Sequence, residues 1–398
     1  MYRNRQSRCR SFRPSVLSLE DRALLNAALP DVIHLGLRHP VELRHPAHSR
    51  RGHVAPPIVP NLPATPTLSY TAVPANGDGN PYGLAIVPKG FPKGGMINAG
   101  DLLAANYNSN SNLQGTGTTI VKITPGQPTT GPATVFFNSQ APGLTLAFGV
   151  LRSGFVVAGN VPTTDGTFGT IGAGSLQFID KNGNVVKTIS DPKLLDGPWG
   201  MAVNDHGDTA QLFVANVLSG TVTRIDVKIT HHRGHEGIDV VSMIQIASGY
   251  SVAPNAAALV LGPAGVAYNA HTDTIYVASS NDNAIYAIKH ASRTRLDNGT
   301  GAIVYQDPAH LRGPIGLVIA PNGDLLTTNG DAVNGNPSFP SELIEFTPQG
   351  QFVGQLSLDP AQGGAFALVA EGSSHRVTVI TVDDNTGTVN FRSTHLRG

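Results

Sequence analysis

One short phrase, Pro198-Trp199-Gly200-Met201-Ala202, recurs along this chain of 398 residues with proline first and glycine third. The other copies are Pro81-Tyr82-Gly83-Leu84-Ala85, Pro142-Gly143-Leu144, Pro263-Ala264-Gly265-Val266-Ala267, Pro314-Ile315-Gly316-Leu317-Val318 and the weaker Gly364-Ala365-Phe366-Ala367-Leu368. Their starts lie 50 to 65 residues apart, which is the range of a four-stranded blade in a β-propeller. The spacing therefore predicts an all-β repeat architecture.

Each copy is followed by the pattern of further strands. A second apolar strand ends in a small residue and then Asn or Ser, as in 212–216. A third strand alternates between polar and apolar residues, as a half-buried strand does, for example at 222–226. The pattern predicts a six-bladed β-propeller of four-stranded antiparallel blades, which start near residues 81, 142, 198, 263, 314 and 364.

The two ends of the repeat region complement each other. The last copy lacks a fourth strand, whereas a spare strand at 67–73 precedes the first copy. Pairing of the two would close the ring and remove two exposed sheet edges. We therefore predict one propeller domain over 67–398, closed by the strand 67–73.

Residues 1–66 have a different composition. The first 55 residues contain ten Arg, no Lys and four acidic residues, so they carry +6 and the rest of the chain −6. A Pro-rich stretch follows, and we predict that 1–66 is a disordered leader and linker. The acidic repeat region argues against nucleic acid as a partner, and no apolar run is long enough to span a membrane. Cys9 is the only cysteine, which excludes a disulfide within the chain.

The leader also contains a recognisable pattern. Arg10-Ser11-Phe12-Arg13-Pro14 precedes Leu19-Glu20-Asp21-Arg22 and Leu24-Leu25. This arrangement resembles the leader of many exported proteins of planctomycete bacteria. The resemblance implies export to the periplasm, the cell surface or the medium. The alternative is a short amphipathic helix without an address function.

The repeats resemble those of the NHL-repeat propellers. The copies at 198–226 and 263–288 match that repeat best, whereas those at 142 and 364 depart from it. The resemblance implies the fold and leaves the function open, because one propeller fold supports binders, lyases and lactonases.

Three groups of polar residues are candidate sites with competing interpretations. Asn106, Asn160, Asn216 and Asn329 could form a ring of ligands, but repetition at equivalent positions favours a structural role in left-handed turns. The cluster 231–236 contains three His and a Glu, and we interpret it as a solvated loop. Asp165-Gly166 and Asn329-Gly330-Asp331 partly resemble calcium loops. We predict no cofactor, with calcium as the open alternative.

The expected ligand surface combines three enlarged turns, at 106–118, 160–174 and 329–341, which share one face of the ring. The candidate ligand-binding residues are Tyr107, Asn108, Asn160, Phe168, Trp199, Asn329, Asp331 and Phe339. The main prediction is a monomeric, non-catalytic module that binds a protein, peptide or glycan. The alternative is a metal-dependent hydrolase or lyase of the lactonase type, which would need carboxylates converging at the channel mouth.

Overall fold

A computed structural model describes residues 56–127, 131–232, 235–373 and 375–396. The predicted export pattern and most of the predicted leader lie in 1–55, outside the described residues. The elements in chain order are η1 (a 3-10 helix) Val59–Asn61, β1 Leu68–Thr71, β2 Gly79–Ile86, β3 Leu102–Asn108, β4 Thr119–Ile123, β5 Thr134–Asn138, β6 Leu144–Val150, β7 Val156–Asn160, η2 (a 3-10 helix) Phe168–Thr170, β8 Ser175–Ile179, β9 Val185–Ile189, β10 Pro198–Asp205, β11 Thr209–Asn216, β12 Thr221–His232, β13 His235–Ser248, β14 Ala253–Asn255, β15 Leu259–Leu261, β16 Pro263–Asn269, β17 Thr274–Ser279, β18 Ala284–Lys289, β19 Ala302–Tyr305, β20 Pro314–Ile319, β21 Leu325–Asn329, β22 Glu342–Phe346, β23 Phe352–Ser357, β24 Ala365–Gly372, β25 Arg376–Asp383 and β26 Thr388–His395.

The strands form an all-β, propeller-like arrangement, which confirms the predicted fold class. Four sheets have four strands each, in the orders β1-β26-β25-β24, β2-β3-β4-β5, β16-β17-β18-β19 and β20-β21-β22-β23. The prediction of six separate blades differs from the structure in one respect, because β6–β9 and β10–β13 form a single eight-stranded sheet. Its two halves join through one parallel pair, Gly200 with Leu146.

Strands β2, β6, β10, β16, β20 and β24 are the innermost strands. Together they surround an apolar central cavity of about 260 Å³. Alternate side chains of neighbouring sheets pack between the sheets, for example Leu103 and Ile120 with Phe148, and Phe213 with Val266. The core is therefore distributed around the ring, as in other repeat architectures.

The third residue of the repeated phrase lies where neighbouring innermost strands come closest. A Cβ atom added to Gly200 would lie 1.8 Å from the Ala264 carbonyl oxygen, and one added to Gly265 would lie 2.2 Å from the Ile315 oxygen. The same holds for Gly83 and Gly316, which face backbone oxygens of the next innermost strand. Glycine is repeated because a side chain there would collide with the adjacent backbone.

Two copies of the phrase are displaced from the register that the sequence predicted. In β10 the first residue of the phrase, Pro198, pairs with Asn216 at the end of the second strand. In β6 the residue that pairs with the equivalent Asn160 is Leu144, and not Pro142 as the sequence predicted. In β24, Ala365 pairs with Asp383. The glycine position is therefore taken by Leu146 in β6 and by Ala367 in β24, so these two copies lie out of the register that the sequence pattern predicted.

The ring closes through its first and last strands. Strand β1 pairs with β26 antiparallel, with Leu68 opposite Phe391. Tyr70 is buried, its ring meets that of Phe391 edge-on at 5.5 Å, and its hydroxyl accepts a hydrogen bond from the Gly126 amide. The strand predicted at 67–73 thus supplies the fourth strand of the last sheet.

A segment ahead of the predicted domain boundary is also packed. Ile58 and Val59 are buried, and their amides donate to the Glu345 carboxylate at 2.7–3.0 Å. Asn322 donates to the Pro56 carbonyl oxygen at 3.2 Å and to Glu345 at 2.9 Å. Residues 56–66 were expected to be a disordered linker, but in the structure they are packed. The reason is that the buried Glu345 carboxylate accepts hydrogen bonds from the backbone amides of Ile58 and Val59, which no strand pairs.

The close approach at the glycine positions gives a testable prediction. Gly200→Ala should lower the free energy of unfolding by about 3 kcal/mol, since the new methyl group overlaps backbone that cannot move independently. Gly79→Ala is the matched control, because a Cβ atom there meets no atom within 4 Å. Urea unfolding of both variants measures the difference, and equal losses would contradict the packing argument.

Candidate functional site

A pocket of about 380 Å³ lies at the end of the ring where the second strands finish. Its walls come from turns after second strands, from connections between sheets and from the β14–β15 hairpin. The lining residues are Asn80, Tyr82, Tyr107, Asn108, Asn112, Gln114, Trp199, Ala257, Ala258, Gly330, Asp331, Ala332, Gln362, Gly363, Phe366 and Asp384.

Aromatic rings form the floor of this pocket. Tyr82 lies 4.5 Å from Phe366, 5.4 Å from Tyr107 and 5.6 Å from Trp199 between ring centroids. The indole Nε1–H of Trp199 donates to the Tyr82 hydroxyl at 3.2 Å. Tyr82, Trp199 and Phe366 occupy the second position of the repeated phrase, as do Ala264 and Ile315 in the same buried cluster. The repeat thus places a hydrophobic plug between the pocket and the central cavity.

Three buried oxygen atoms at the pocket have no hydrogen-bond partner among the described residues. They belong to Asn80, Asn108 and Asp331. The Asn108 amide is oriented by its Nδ2 bond to Asn112 at 2.8 Å. The other carboxylate oxygen of Asp331 accepts from the Ser341 and Gly363 amides at 2.9 and 3.1 Å. Unsatisfied oxygens of this kind are costly to bury without a ligand.

The backbone explains how these side chains reach the pocket. Asn80, Asn112 and Asp331 have φ values of 54°, 56° and 57°, in the left-handed region. Asn and Asp tolerate this conformation better than other residues with a side chain. Each bends the chain at the edge of the ring. Two of the three, Asn80 and Asp331, also carry one of the unpartnered oxygens.

Asp384 is the second carboxyl group at the pocket and is half-buried. Burial, with a smaller effect from the charge of Asp383, raises the pKa of Asp384 to about 6. Its carboxyl group accepts no hydrogen bond among the described residues. Burial also raises the pKa of the Tyr82 and Tyr107 phenols, so both remain neutral near pH 7.

The structure brings four of the eight candidate residues together: Tyr107, Asn108, Trp199 and Asp331. Phe168 lies in a separate cavity, and Phe339 is exposed outside both. Asn160 and Asn329 are buried at strand ends, where their side-chain amides donate to the carbonyl oxygens of Pro142 and His310. The repeated asparagines thus tie strand ends to inter-sheet connections, and they do not adopt the left-handed backbone that the sequence suggested.

Asp384, Asn80, Tyr82 and Gln362 were missed by sequence reasoning. Tyr82 had a signal, since it occupies the same position of the phrase as Trp199. Asp384 looked like an ordinary turn residue of the last hairpin. Packing of the neighbouring sheets β20–β23 and β24–β26 brings that turn and Asp331 to the same pocket.

Two other sequence candidates have structural explanations. The stretch 231–236 was predicted as a solvated loop; within it His231 and His232 end β12, whereas His235 and Glu236 begin β13, and His231 is exposed. The carboxylate of Asp165 accepts hydrogen bonds from Thr167 and Thr170 of its own turn. Within the described residues, no cluster of three His, Cys, Asp or Glu could hold a metal ion. No helix found among them is long and apolar enough to cross a membrane.

Comparison with solved structures finds distant similarity to several proteins. No family model and no curated protein matches this chain. A gluconolactonase from Xanthomonas campestris is 13% identical, with 85% of this chain and 99% of that chain covered and a TM-score of 0.46. Streptogramin B lyase is 13% identical (83% and 88% covered, TM-score 0.43), and the calcium-binding protein regucalcin from Agrobacterium tumefaciens is 12% identical (80% and 90% covered, TM-score 0.44).

The prediction of a non-catalytic binding or interaction module is wrong on this comparison. The named structures include a lactonase and a lyase, which agrees better with the alternative stated from the sequence. At 12–13% identity and TM-scores of 0.43–0.46, the similarity establishes no activity for this chain. The chemistry must be argued from the pocket itself.

The hydrogen bond in the aromatic floor can be tested. Trp199→Phe should lower the free energy of unfolding by about 2 kcal/mol, because it leaves the buried Tyr82 hydroxyl unpaired and the floor underfilled. Tyr107→Phe is the control and should cost about 0.5 kcal/mol or less, since its hydroxyl makes only a 3.4 Å contact with the Val161 oxygen. Urea denaturation followed by circular dichroism suits both, and a Trp199→Phe variant as stable as the control would contradict the assignment.

Proposed function

We propose that this protein is a hydrolase of neutral lactones or related cyclic esters, with its active site in the pocket above Tyr82 and Trp199. The observation that carries the proposal is Asp384, a half-buried carboxyl group that lines the pocket, has no hydrogen-bond partner among the described residues, and has a pKa raised to about 6. A general base works best when its pKa lies near the working pH. Perturbed carboxyl groups in pockets favour catalytic function.

The chemistry follows from the position of Asp384. Above pH 6 its carboxylate accepts a proton from water as the water oxygen bonds to the ester carbonyl carbon. The bond between that carbon and the ring oxygen then breaks, and the ring oxygen receives the proton from Asp384. The products are a carboxylic acid and a hydroxyl group on one opened molecule, and Asp384 returns to its starting state.

The pocket's charge supports a neutral substrate. Among the described lining residues there are two carboxyl groups, Asp331 and Asp384, and no Lys, Arg or His. A phosphate or carboxylate on the substrate would be repelled. The hydrolysed product is an anion, so the same repulsion favours its release.

The unpartnered oxygens fit a divalent cation. Calcium and magnesium prefer oxygen ligands from carboxylates and amides, which Asp331, Asn80 and Asn108 offer at the pocket. A calcium ion held there would polarise the ester carbonyl oxygen. The chain's own contribution is to orient these oxygens: Asp331 through two backbone amides, and Asn108 through Asn112.

We further propose that the eight-stranded sheet represents two blades, so that the ring is six-bladed and NHL-like, and that the chain is exported. The single pair joining the two halves supports the first proposal. The leader pattern supports the second, and mapping the mature N-terminus in fractionated host cells would test it.

Loss of the Asp384 carboxylate should remove the activity. Asp384→Asn is expected to lower kcat/KM for lactone hydrolysis at least a hundredfold, which is the usual contribution of a general base. The rate of the parent protein should rise with pH through about 6 and then level off, because only the ionised carboxyl accepts a proton. Asp208→Asn is the control, since that exposed carboxylate lies at the opposite end of β11. Unchanged hydrolysis in Asp384→Asn would rule out this residue as the base.

Calcium binding can be measured independently of activity. Calorimetric titration of the parent with Ca²⁺ should show one site, and Asp331→Asn should weaken it at least tenfold by removing a charged ligand. Asp165→Asn is the matched control, because it changes the other calcium-like turn. Binding that survives Asp331→Asn but is lost in Asp165→Asn would place the cation outside the pocket.

A further inference from the structure

The hydroxyl group of Tyr82 lies in the floor of the pocket and has no part in the proposed reaction so far. Tyr82 lines the pocket, although only 6% of its surface is exposed. Its hydroxyl oxygen accepts the indole Nε1–H of Trp199 at 3.2 Å, but no acceptor among the described residues receives a hydrogen bond from this hydroxyl. A phenol carries one donor besides its acceptor sites. This buried donor is therefore available to a molecule bound in the pocket.

The two phenols that line the pocket differ in the partners of their hydroxyl groups. The Tyr107 hydroxyl is directed at the Val161 carbonyl oxygen at 3.4 Å, whereas the Tyr82 hydroxyl donates to no described residue. The Asp384 carboxyl group lines the same pocket and accepts no hydrogen bond within the described part of the chain. The pocket thus contains an unused donor at Tyr82 and a separate unused acceptor at Asp384.

Packing holds the Tyr82 side chain in one position. Its ring lies 4.5 Å from that of Phe366 between centroids. The next residue in the chain, Gly83, approaches the neighbouring innermost strand so closely that an added Cβ atom would lie 2.6 Å from the Thr145 carbonyl oxygen. Ring and backbone are therefore both confined. A donor that is already held in place needs little reorganisation when negative charge develops beside it.

The surroundings also determine how this hydroxyl behaves. Burial raises the pKa of Tyr82, although the hydrogen bond from Trp199 lowers it in part. The phenol therefore keeps its hydrogen throughout the pH range in which Asp384 ionises. The Trp199 N–H that the oxygen accepts polarises the O–H bond, because hydrogen bonds in a chain strengthen one another. Tyr82 is thus a neutral donor whose strength is increased by its own donor.

We propose that Tyr82 is a further catalytic residue, whose hydroxyl donates a hydrogen bond to the carbonyl oxygen of the bound ester. As the water oxygen bonds to the carbonyl carbon, the π electrons of the carbonyl bond move to that oxygen, and the donor stabilises the new negative charge. Tyr82 keeps its proton throughout. When the bond to the ring oxygen breaks, the carbonyl bond forms again. This role rests on the proposed function, whereas carbonyl binding by the hydroxyl can be tested separately.

The kinetic test removes this donor and keeps the ring. Tyr82→Phe should lower kcat for hydrolysis of δ-valerolactone about a hundredfold, the usual loss when one donor to the developing negative charge is removed. The pH of the half-maximal rate should stay at about 6, since Asp384 is unchanged. Tyr250→Phe is the matched control and should leave kcat unchanged, because that buried tyrosine lies outside the pocket and its hydroxyl donates to the Thr300 oxygen at 3.1 Å.

An unreactive probe separates carbonyl binding from the reaction. δ-Valerolactam has the same ring size and a carbonyl group, and its amide bond resists hydrolysis. With EDTA present to remove divalent cations, the infrared carbonyl stretch of the bound lactam should lie at lower wavenumber in the parent than in Tyr82→Phe. Calorimetry should show about fivefold weaker binding to Tyr82→Phe, since one hydrogen bond is lost.

A second replacement covers the case in which Tyr82→Phe does not fold. Exchange of Tyr82 for 3-fluorotyrosine keeps the ring and the hydroxyl group, so the hydrogen bond from Trp199 is preserved. Fluorine makes the phenol a stronger donor, and the carbonyl stretch of the bound lactam should therefore shift to still lower wavenumber than in the parent.

The outcomes distinguish the donor from the proposed function. The expected infrared shifts without hydrolysis of any lactone would support carbonyl binding by Tyr82 and refute the proposed function. Hydrolysis by the parent with an equal kcat in Tyr82→Phe would refute the catalytic role of Tyr82 and leave the proposed function in place. No lactam binding to the parent, or one carbonyl frequency in the parent and in the 3-fluorotyrosine form, would refute the donor itself.

Discussion

The contact of one innermost strand with the backbone of the next is the constraint on which the structure depends. At Gly83, Gly200, Gly265 and Gly316 a carbonyl oxygen of the following strand occupies the space that a side chain would need. This close approach permits the innermost strands to surround a cavity of only about 260 Å³. It also explains the repeat, because the strands that approach this closely, four of the six innermost ones, carry glycine at that position.

The same contact determines where chemistry can occur. With the third position of the phrase packed against the neighbouring strand, the second position points toward the axis, where Tyr82, Trp199, Ile315 and Phe366 form the plug. The plug divides the axis into an apolar cavity and a polar pocket. The pocket's polar residues come from turns and connections at the edge of the ring, where a repeat tolerates variation.

The electrostatics of the pocket arise from burial without compensation. Asp331 has two backbone donors on one oxygen, whereas Asp384 has none on either, so burial raises the pKa of Asp384 to about 6. Elsewhere in the ring Glu342 pairs with Arg312 at 2.7 Å, although burial and the charge of Asp331 raise the pKa of Glu342 to about 7. Glu345 instead accepts the amides of Ile58 and Val59. Asp384 differs from Glu342 and Glu345 because it lines the pocket and accepts no hydrogen bond among the described residues.

The all-β fold, the approximate limits of most repeats and the closing strand at 67–73 followed from the sequence alone, because strand alternation and the Pro-x-Gly phrase are local signals. Trp199, Tyr107, Asn108 and Asp331, which line the pocket, were predicted from the sequence for the same reason, since they lie at or beside repeated positions. Tertiary structure decided three other features: the displaced copies at β6 and β24, the packed segment at 56–66 and the surroundings of Asp384. Asp384 and Asp331 are 53 residues apart in the chain, and the packing of two neighbouring sheets, β20–β23 against β24–β26, brings their turns to one pocket. The sequence records which residues each sheet offers, but the environment that raises a pKa or leaves an oxygen unpaired exists only after the sheets have packed.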